Sequence, residues 1–251
     1  MLETPSVSGF ELNFQKMLMH ELKEVDDVVF THPSYNTIHA IHPNSKVKVL
    51  LLAHIDEIGL IIEKVEDNGI CKLTHIGGVK PYMYLGQHVI ILHQNVDNSI
   101  TKIKGVIGGN PQMTTGDMKV IDLNLDLGTS SKEETLKIVS VGDPVIHSMT
   151  YNMLQNNMLS ARALDDKIGA FICAEVLKNV KGKTSNGVYF AATVGEETTG
   201  RGAKFTGTMV NPTICISLDV GSSADVRLSL IHISEPTRRV VISHAVFCLK
   251  K

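Results

Sequence analysis

Residues 47–53 read VKVLLLA, a valine- and leucine-rich run without polar alternation. A strand of that character is buried on both faces, which places it in the middle of a sheet with helices packed on each side. The later runs 187–194 (GVYFAATV) and 213–218 (TICISL) have the same character. Between them Ile168, Phe171, Ile172, Val176 and Val180 recur at helical spacing and predict a helix with Asp165 and Asp166 at its N-terminal end. A further helix is expected near the start. There Ser8-Gly9-Phe10-Glu11 has capping-box spacing, and Phe10, Phe14, Met17, Leu18 and Leu22 form an apolar stripe. The fold class implied is α/β.

From Gly59 to Val145 the pattern changes. Short runs at 88–92 (HVIIL), 102–109 (KIKGVIGG) and 136–139 (LKIV) are punctuated by Gly, Asn and Asp, and no long helix is predicted. Residues 59–145 therefore read as a mostly β insertion, a small barrel or sandwich, within an α/β domain formed by 1–58 and 146–226. No internal repeat is evident.

Several function classes are excluded early. Lys and Arg number 24 against 26 Asp and Glu, a formal charge of −2. No basic block could neutralise a run of phosphates, so nucleic acid is not an expected partner. The longest apolar runs are too short to cross a bilayer and no signal peptide is visible, which makes the cytoplasm the expected location. Cys71, Cys173, Cys215 and Cys248 are isolated, without a CxxC pair, and read as reduced core residues. No GxSxG elbow, HExxH helix or P-loop occurs. Gly105–Gly109 lacks the spacing of a dinucleotide fingerprint.

Acidic and imidazole groups collect where the expected strands end. His54 and Asp56 follow VKVLLLA, Glu196 and Glu197 follow VYFAATV, Asp219 follows TICISL, and Asp165-Asp166 opens the helix. In open α/β sheets, ligands bind beyond the carboxyl ends of the strands. Singly, each cluster has a plain explanation: a structural His–Asp pair, helix capping, a solvated turn. Jointly, acids gathered at one sheet edge repel one another unless a cation neutralises them. A metal site is the economical reading.

The segments 53–62 (AHIDEIGLII), 161–169 (ARALDDKIG), 195–203 (GEETTGRGA) and 217–221 (SLDVG) closely resemble motifs of the M42 metallo-aminopeptidases. The likeness runs in the family's order from about Glu3 to Asp225, and includes 128–134 (GTSSKEE) and 141–145 (VGDPV). The resemblance implies a metallo-exopeptidase-like catalytic domain with a central mixed sheet, and an insertion that serves oligomerisation. It implies hydrolysis of N-terminal residues from peptides through a water activated by two divalent ions, zinc or cobalt, with manganese as a further candidate. His54 and Asp219 would bind one ion, Asp165 would bridge both, and Glu197 would bind the second. Glu196 would be the general base, and Asp56 would hold the His54 ring by a hydrogen bond. Asp166 is expected to position its neighbour or cap the helix, and Lys167 stands where Arg is common. Homo-oligomers and peptide substrates are the partners implied.

Members of the family place a last metal-binding His near the chain's end. Here the family pattern is expected to stop near Asp225, and residues 227–251 read as a non-native tail whose His232 and His244 are unrelated to the site. The chain as written is therefore expected to be poorly soluble or inactive. Two rival readings are a glucanase-like glycoside hydrolase and a non-catalytic assembly subunit. Two carboxylates can serve the first, but it has no use for His54, Asp165 or Asp219. A chain with no Trp and 5% aromatics also offers few stacking rings for sugars.

Overall fold

The computed structural model describes residues 1–31, 36–109, 116, 118–221 and the backbone of Val246–Leu249. Helix α1 (Leu12–Leu22) opens the chain and buries Phe14, Leu18 and Leu22, together with Gln15. Met17 packs partly against the same core, whereas Phe10 is only half buried. The expected capping box does not form. Glu11 stands at the N-cap in helical torsions with no side-chain cap bond. The Ser8 N–H donates to the Glu57 carbonyl (3.2 Å) beside a parallel bridge between Val7 and Glu57, so it is engaged elsewhere.

Strands β1 (Val28–Thr31), β2 (Thr37–Ile41) and β3 (Lys48–His54) follow α1. Next come β4 (Gly59–Val65), β5 (Cys71–Ile76), β6 (His88–Gln94), β7 (Ile100–Gly108) and β8 (Asn124–Asp126). A short helix α2 (Lys132–Thr135) leads to β9 (Pro144–His147) and to the pair β10 (Tyr151–Met153) and β11 (Leu159–Ala161). The chain ends with α3 (Leu164–Val180), β12 (Gly187–Thr193), α4 (Glu196–Thr199), α5 (Arg201–Val210), β13 (Ile214–Ser217) and β14 (Val246–Leu249).

Two compact units result. The first comprises Met1, Gly9–Asp56 and Ala163–Lys251. Its sheet has the order β1-β2-β12-β3-β13-β14, with β3 parallel to both β12 and β13, and antiparallel pairs β1–β2, β2–β12 and β13–β14. Alternate residues of β3 serve two different cores. Leu51 and Ala53 pack with Phe14, Leu18, Cys173, Leu177 and Phe190, while Leu50 and Leu52 pack with Ile38, Tyr189, Ala191 and Val210. Apolar burial on both faces is why the strand shows no alternation.

Helix α3 forms where expected but turns a different face inward. Gly169, Ala170, Cys173, Ala174 and Leu177 are buried, whereas Phe171 and Val176 are exposed. Small residues let the helix backbone lie close to the sheet, so Phe171 and Val176 of the expected stripe are turned outward while Val180 still packs partly against the core.

The second unit comprises Leu2–Ser8 and Glu57–Arg162, taking in more of the chain than 59–145. Its strands close into a barrel in the order β4-β5-β8-β7-β6-β9 around Leu60, Ile62, Leu73, Val89, Ile91, Ile107 and Leu125. Residues 136–139 are not a strand. They follow α2 in tight turns, with the Leu136 N–H bonded to the Lys132 carbonyl and Val139 to Thr135. Val139 is buried while Leu136 and Ile138 are exposed, so the apolar run reflects one anchor beside a turn. Cys71 and Cys173 are buried free thiols. Among the described residues no helix is long and apolar enough to cross a membrane.

Candidate metal centre

Three parallel strands deliver the chemistry to one edge. His54 is the last residue of β3 and lies opposite Thr193 of β12. Three residues beyond β12, Glu196 and then Glu197 open α4, and two beyond β13 stands Asp219. The link from β12 to α4 is Gly195 at φ +67°, a left-handed backbone that glycine adopts without a Cβ penalty.

His54 is buried, with its Nδ1 3.0 Å from the backbone carbonyl of Asp56 and its Nε2 3.0 Å from Oδ1 of Asp165. Carboxylate oxygens of Glu196 and Asp219 each lie 3.9 Å from Nε2. A hydrogen bond from Nδ1–H to the carbonyl directs the Nε2 lone pair into the cluster, as a ligating imidazole requires. Burial alone would lower the His54 pKa, but the carboxylates of Asp165 and Asp56 outweigh it and raise the pKa to about 11.

Asp56 holds the His54 ring through its carbonyl, and its carboxylate has further partners. Its Oδ1 is 3.6 Å from His54 Nδ1, too far for a hydrogen bond. Its two oxygens instead accept the backbone N–H groups of Glu196 (3.0 Å) and Glu197 (3.2 Å). Asp56 thus orients His54 through its carbonyl and the two glutamates through its carboxylate.

Asp165 and Asp166 depart from helical torsions at the start of α3, and the peptide between them is cis. The Asp165 carboxylate is about half exposed, whereas Asp166 is fully buried. Asp166 Oδ1 accepts from the Gly169 N–H (3.1 Å), and its Oδ2 has no hydrogen-bond partner. A Cβ at position 169 would run into that carboxylate, so glycine is needed there. Burial and the nearby Asp219 raise the Asp166 pKa to about 8, against the opposing pull of His54. Burial and Asp165 raise Glu197 to about 7. Glu196 is raised as well, by burial and then by Asp219, Asp56 and Asp165, with His54 opposing.

Donor atoms fall into two overlapping groups, each within 4.8 Å: His54, Asp166 and Asp219, and His54, Asp165 and Glu197. One imidazole among four carboxylates, two of them, Asp166 and Glu197, held from easy ionisation and one with an orphaned buried oxygen, is a donor set suited to a divalent cation. The residues present fit the implied metal. Asp166 was not among the expected ligands, and its only trace in the sequence is the helical glycine three positions on. His232 and His244 lie outside the described residues.

Comparison with known proteins bears on the same residues. The sequence profile of the M42 glutamyl aminopeptidases matches residues 36–234, a span that includes every residue of this cluster. The chain belongs to the M42 family. The match continues past Asp225, where the likeness was expected to stop. A putative aminopeptidase of Acetivibrio thermocellus is 33% identical over 87% of this chain and 63% of its own length. The structure of an aminopeptidase from the archaeon Desulfurococcus kamchatkensis superposes with a TM-score of 0.83 at 28% identity, covering 90% of this chain and 62% of that one. The TET1 peptidase of Pyrococcus horikoshii, which can assemble into a tetrahedron or a large octahedral shell, gives 0.78 at 28% identity, with coverage of 91% and 70%. This chain therefore spans a little under two thirds of the length of the first two relatives.

Proposed function

We propose that this M42 chain carries the metal centre of an aminopeptidase that removes N-terminal residues from peptides. The observation that carries the reading is the convergence of His54, Asp165, Asp166, Glu197 and Asp219 into two overlapping donor groups at the carboxyl edge of β3, β12 and β13. These residues would hold two divalent cations, zinc or cobalt, with manganese also compatible with imidazole and carboxylate donors. Divalent cations supply Lewis acidity, polarising a carbonyl and lowering the pKa of water.

Glu196 is the general base in this reading. Its carboxylate is 46% exposed and within 3.9 Å of His54 Nε2, so it both reaches solvent and faces the cluster. It takes a proton from the attacking water and returns it to the leaving amine. Burial and the neighbouring carboxylates raise its pKa above the ordinary glutamate value, the direction that favours accepting a proton. Asp56 anchors the backbone of Glu196 and Glu197, so the base and its neighbouring ligand keep a fixed spacing. The Pyrococcus horikoshii relative's assembly supports self-association of this chain as well. Peptides and further copies of itself are the partners proposed, in the cytoplasm.

The test is a zinc and cobalt titration of the purified chain by calorimetry, beside hydrolysis of aminoacyl p-nitroanilides with and without EDTA. The reading expects cation binding, turnover abolished by EDTA, and a loss of roughly 10²–10⁴-fold in kcat for Glu196→Gln. Binding without turnover would keep the centre and refute the activity of this chain. No binding would refute both.

A further inference from the structure

Glu57 and Arg162 are the residues at which the chain enters and leaves the barrel unit. Their side chains form an ion pair, Arg162 Nη1 to Glu57 Oε2, with the side chains only 7% and 3% exposed. Both groups are tied down further. Glu57 Oε1 accepts the Ser6 N–H (2.7 Å), and the Glu57 N–H donates to the Ser6 carbonyl (3.0 Å). Arg162 Nη2 donates to the Leu2 carbonyl (3.3 Å), and the Arg162 N–H to Thr150 (3.1 Å).

The spacing along the chain gives the pair its meaning. His54 lies three residues before Glu57, and Asp165 three residues after Arg162. The short spans between are themselves fixed. The Ile55 N–H donates to the Thr193 carbonyl (2.9 Å), and Ala163 sits at φ 57°, a left-handed conformation that a residue with a Cβ holds only where its surroundings dictate it. Buried ion pairs are poor sources of stability, since apolar residues of similar volume often serve as well or better. Geometric specification is a better account of this one.

We propose that the Glu57–Arg162 pair is a positioning device that fixes the spacing of the two chain crossings from which His54 and Asp165 extend. It rests on the metal-centre reading above. Neither residue is among the cation donors, and the pair acts on cation affinity through the backbone it holds.

The experiment compares the metal-free wild-type chain with Glu57→Met/Arg162→Met, which removes both charges without stranding either, and with Arg162→Lys, which keeps the charge but loses the planar fork. Zinc Kd is measured by calorimetry, and folding by circular dichroism and thermal melting in EDTA. The expected result is a variant that keeps the wild-type spectrum and melts within a few degrees of wild type, yet binds zinc at least fivefold more weakly. A folded double variant that binds within fivefold of wild type overturns the proposal. If the double variant does not fold, Arg162→Lys decides by the same threshold. If neither folds, the pair serves the fold as a whole and the proposal falls. A wild-type chain that binds no zinc sinks the metal-centre reading itself, whereas equal binding by wild type and variants sinks only the positioning role.

Discussion

Asp56 shows how much a single side chain can organise. Its carboxylate accepts two backbone N–H groups from residues about 140 positions away in sequence. Asp56→Asn replaces one acceptor with an NH2 group facing an amide N–H, which leaves a donor unpaired and releases the start of α4. Zinc affinity should fall about 10–100-fold, the usual effect of losing a partner that orients metal ligands, and calorimetric titration checks it. Asp166 gives a pH prediction. Its folded pKa of about 8 lies above the ordinary carboxylate value, so the folded chain holds this proton more tightly than the unfolded one. The associated stability is complete at acid pH and lost as pH rises through about 8. Metal-free Asp166→Asn should therefore gain in melting temperature relative to wild type as pH goes from 5 to 9, and EDTA-treated thermal melts would show a flat difference if the sign is wrong. The clustering of His54, Glu196, Glu197 and Asp219 was legible as carboxylates at strand ends. Adjacency in sequence pointed to the hydrogen bond between Asp56 and the His54 ring, which is made through the Asp56 carbonyl, while the partners of its carboxylate at Glu196 and Glu197 are distant in the chain and had no sequence signal.

Among the elements, strands were easier to read than helix faces. Apolar runs identify β3, β12 and β13; a strand buried along its whole length, as β12 is, has nowhere to place a polar residue, and the half-buried β13 keeps the same character. Helix α3 misled because large apolar residues normally mark the buried stripe. Here Gly169, Ala170 and Ala174 take that face, and Phe171 looks outward. The turn from β12 to α4 and α5 depends on another feature without a sequence signature. Asn36 accepts the Val194 N–H (3.0 Å) and donates to the Gly202 carbonyl (2.7 Å) and to Thr206 Oγ1 (2.9 Å), all in the interior. Asn36→Ala strands these buried groups and should cost about 1–3 kcal/mol, measurable by urea unfolding. Gly202→Ala should be at least as harmful, since its Cβ would stand 2.5 Å from the Val194 carbonyl and 2.7 Å from Asn36 Oδ1. Neither partner is a flexible chain end that could swing aside.

At the scale of the molecule, the two units keep separate hydrophobic cores, one around Phe14, Leu51 and Phe190 and the other around Leu73, Ile91 and Leu125. All the cation donors belong to the first. Scanning calorimetry should therefore resolve two transitions. Zinc at 100 times its Kd should stabilise the first unit by about 2.7 kcal/mol; a transition of that unit that does not move with zinc would contradict this. The barrel itself was legible only as a change of texture after Gly59, because its strands alternate irregularly between buried and exposed residues and their pairing is set by closure rather than by local pattern. That closure has a consequence for how copies of the chain can meet. Where the ring is fully laddered, as between β6 and β7, backbone donors and acceptors are spent on one another and give an approaching polypeptide no row to zip onto. Adhesion along those stretches is left to shape and side-chain chemistry, which single surface substitutions can switch off without disturbing the strands that display them.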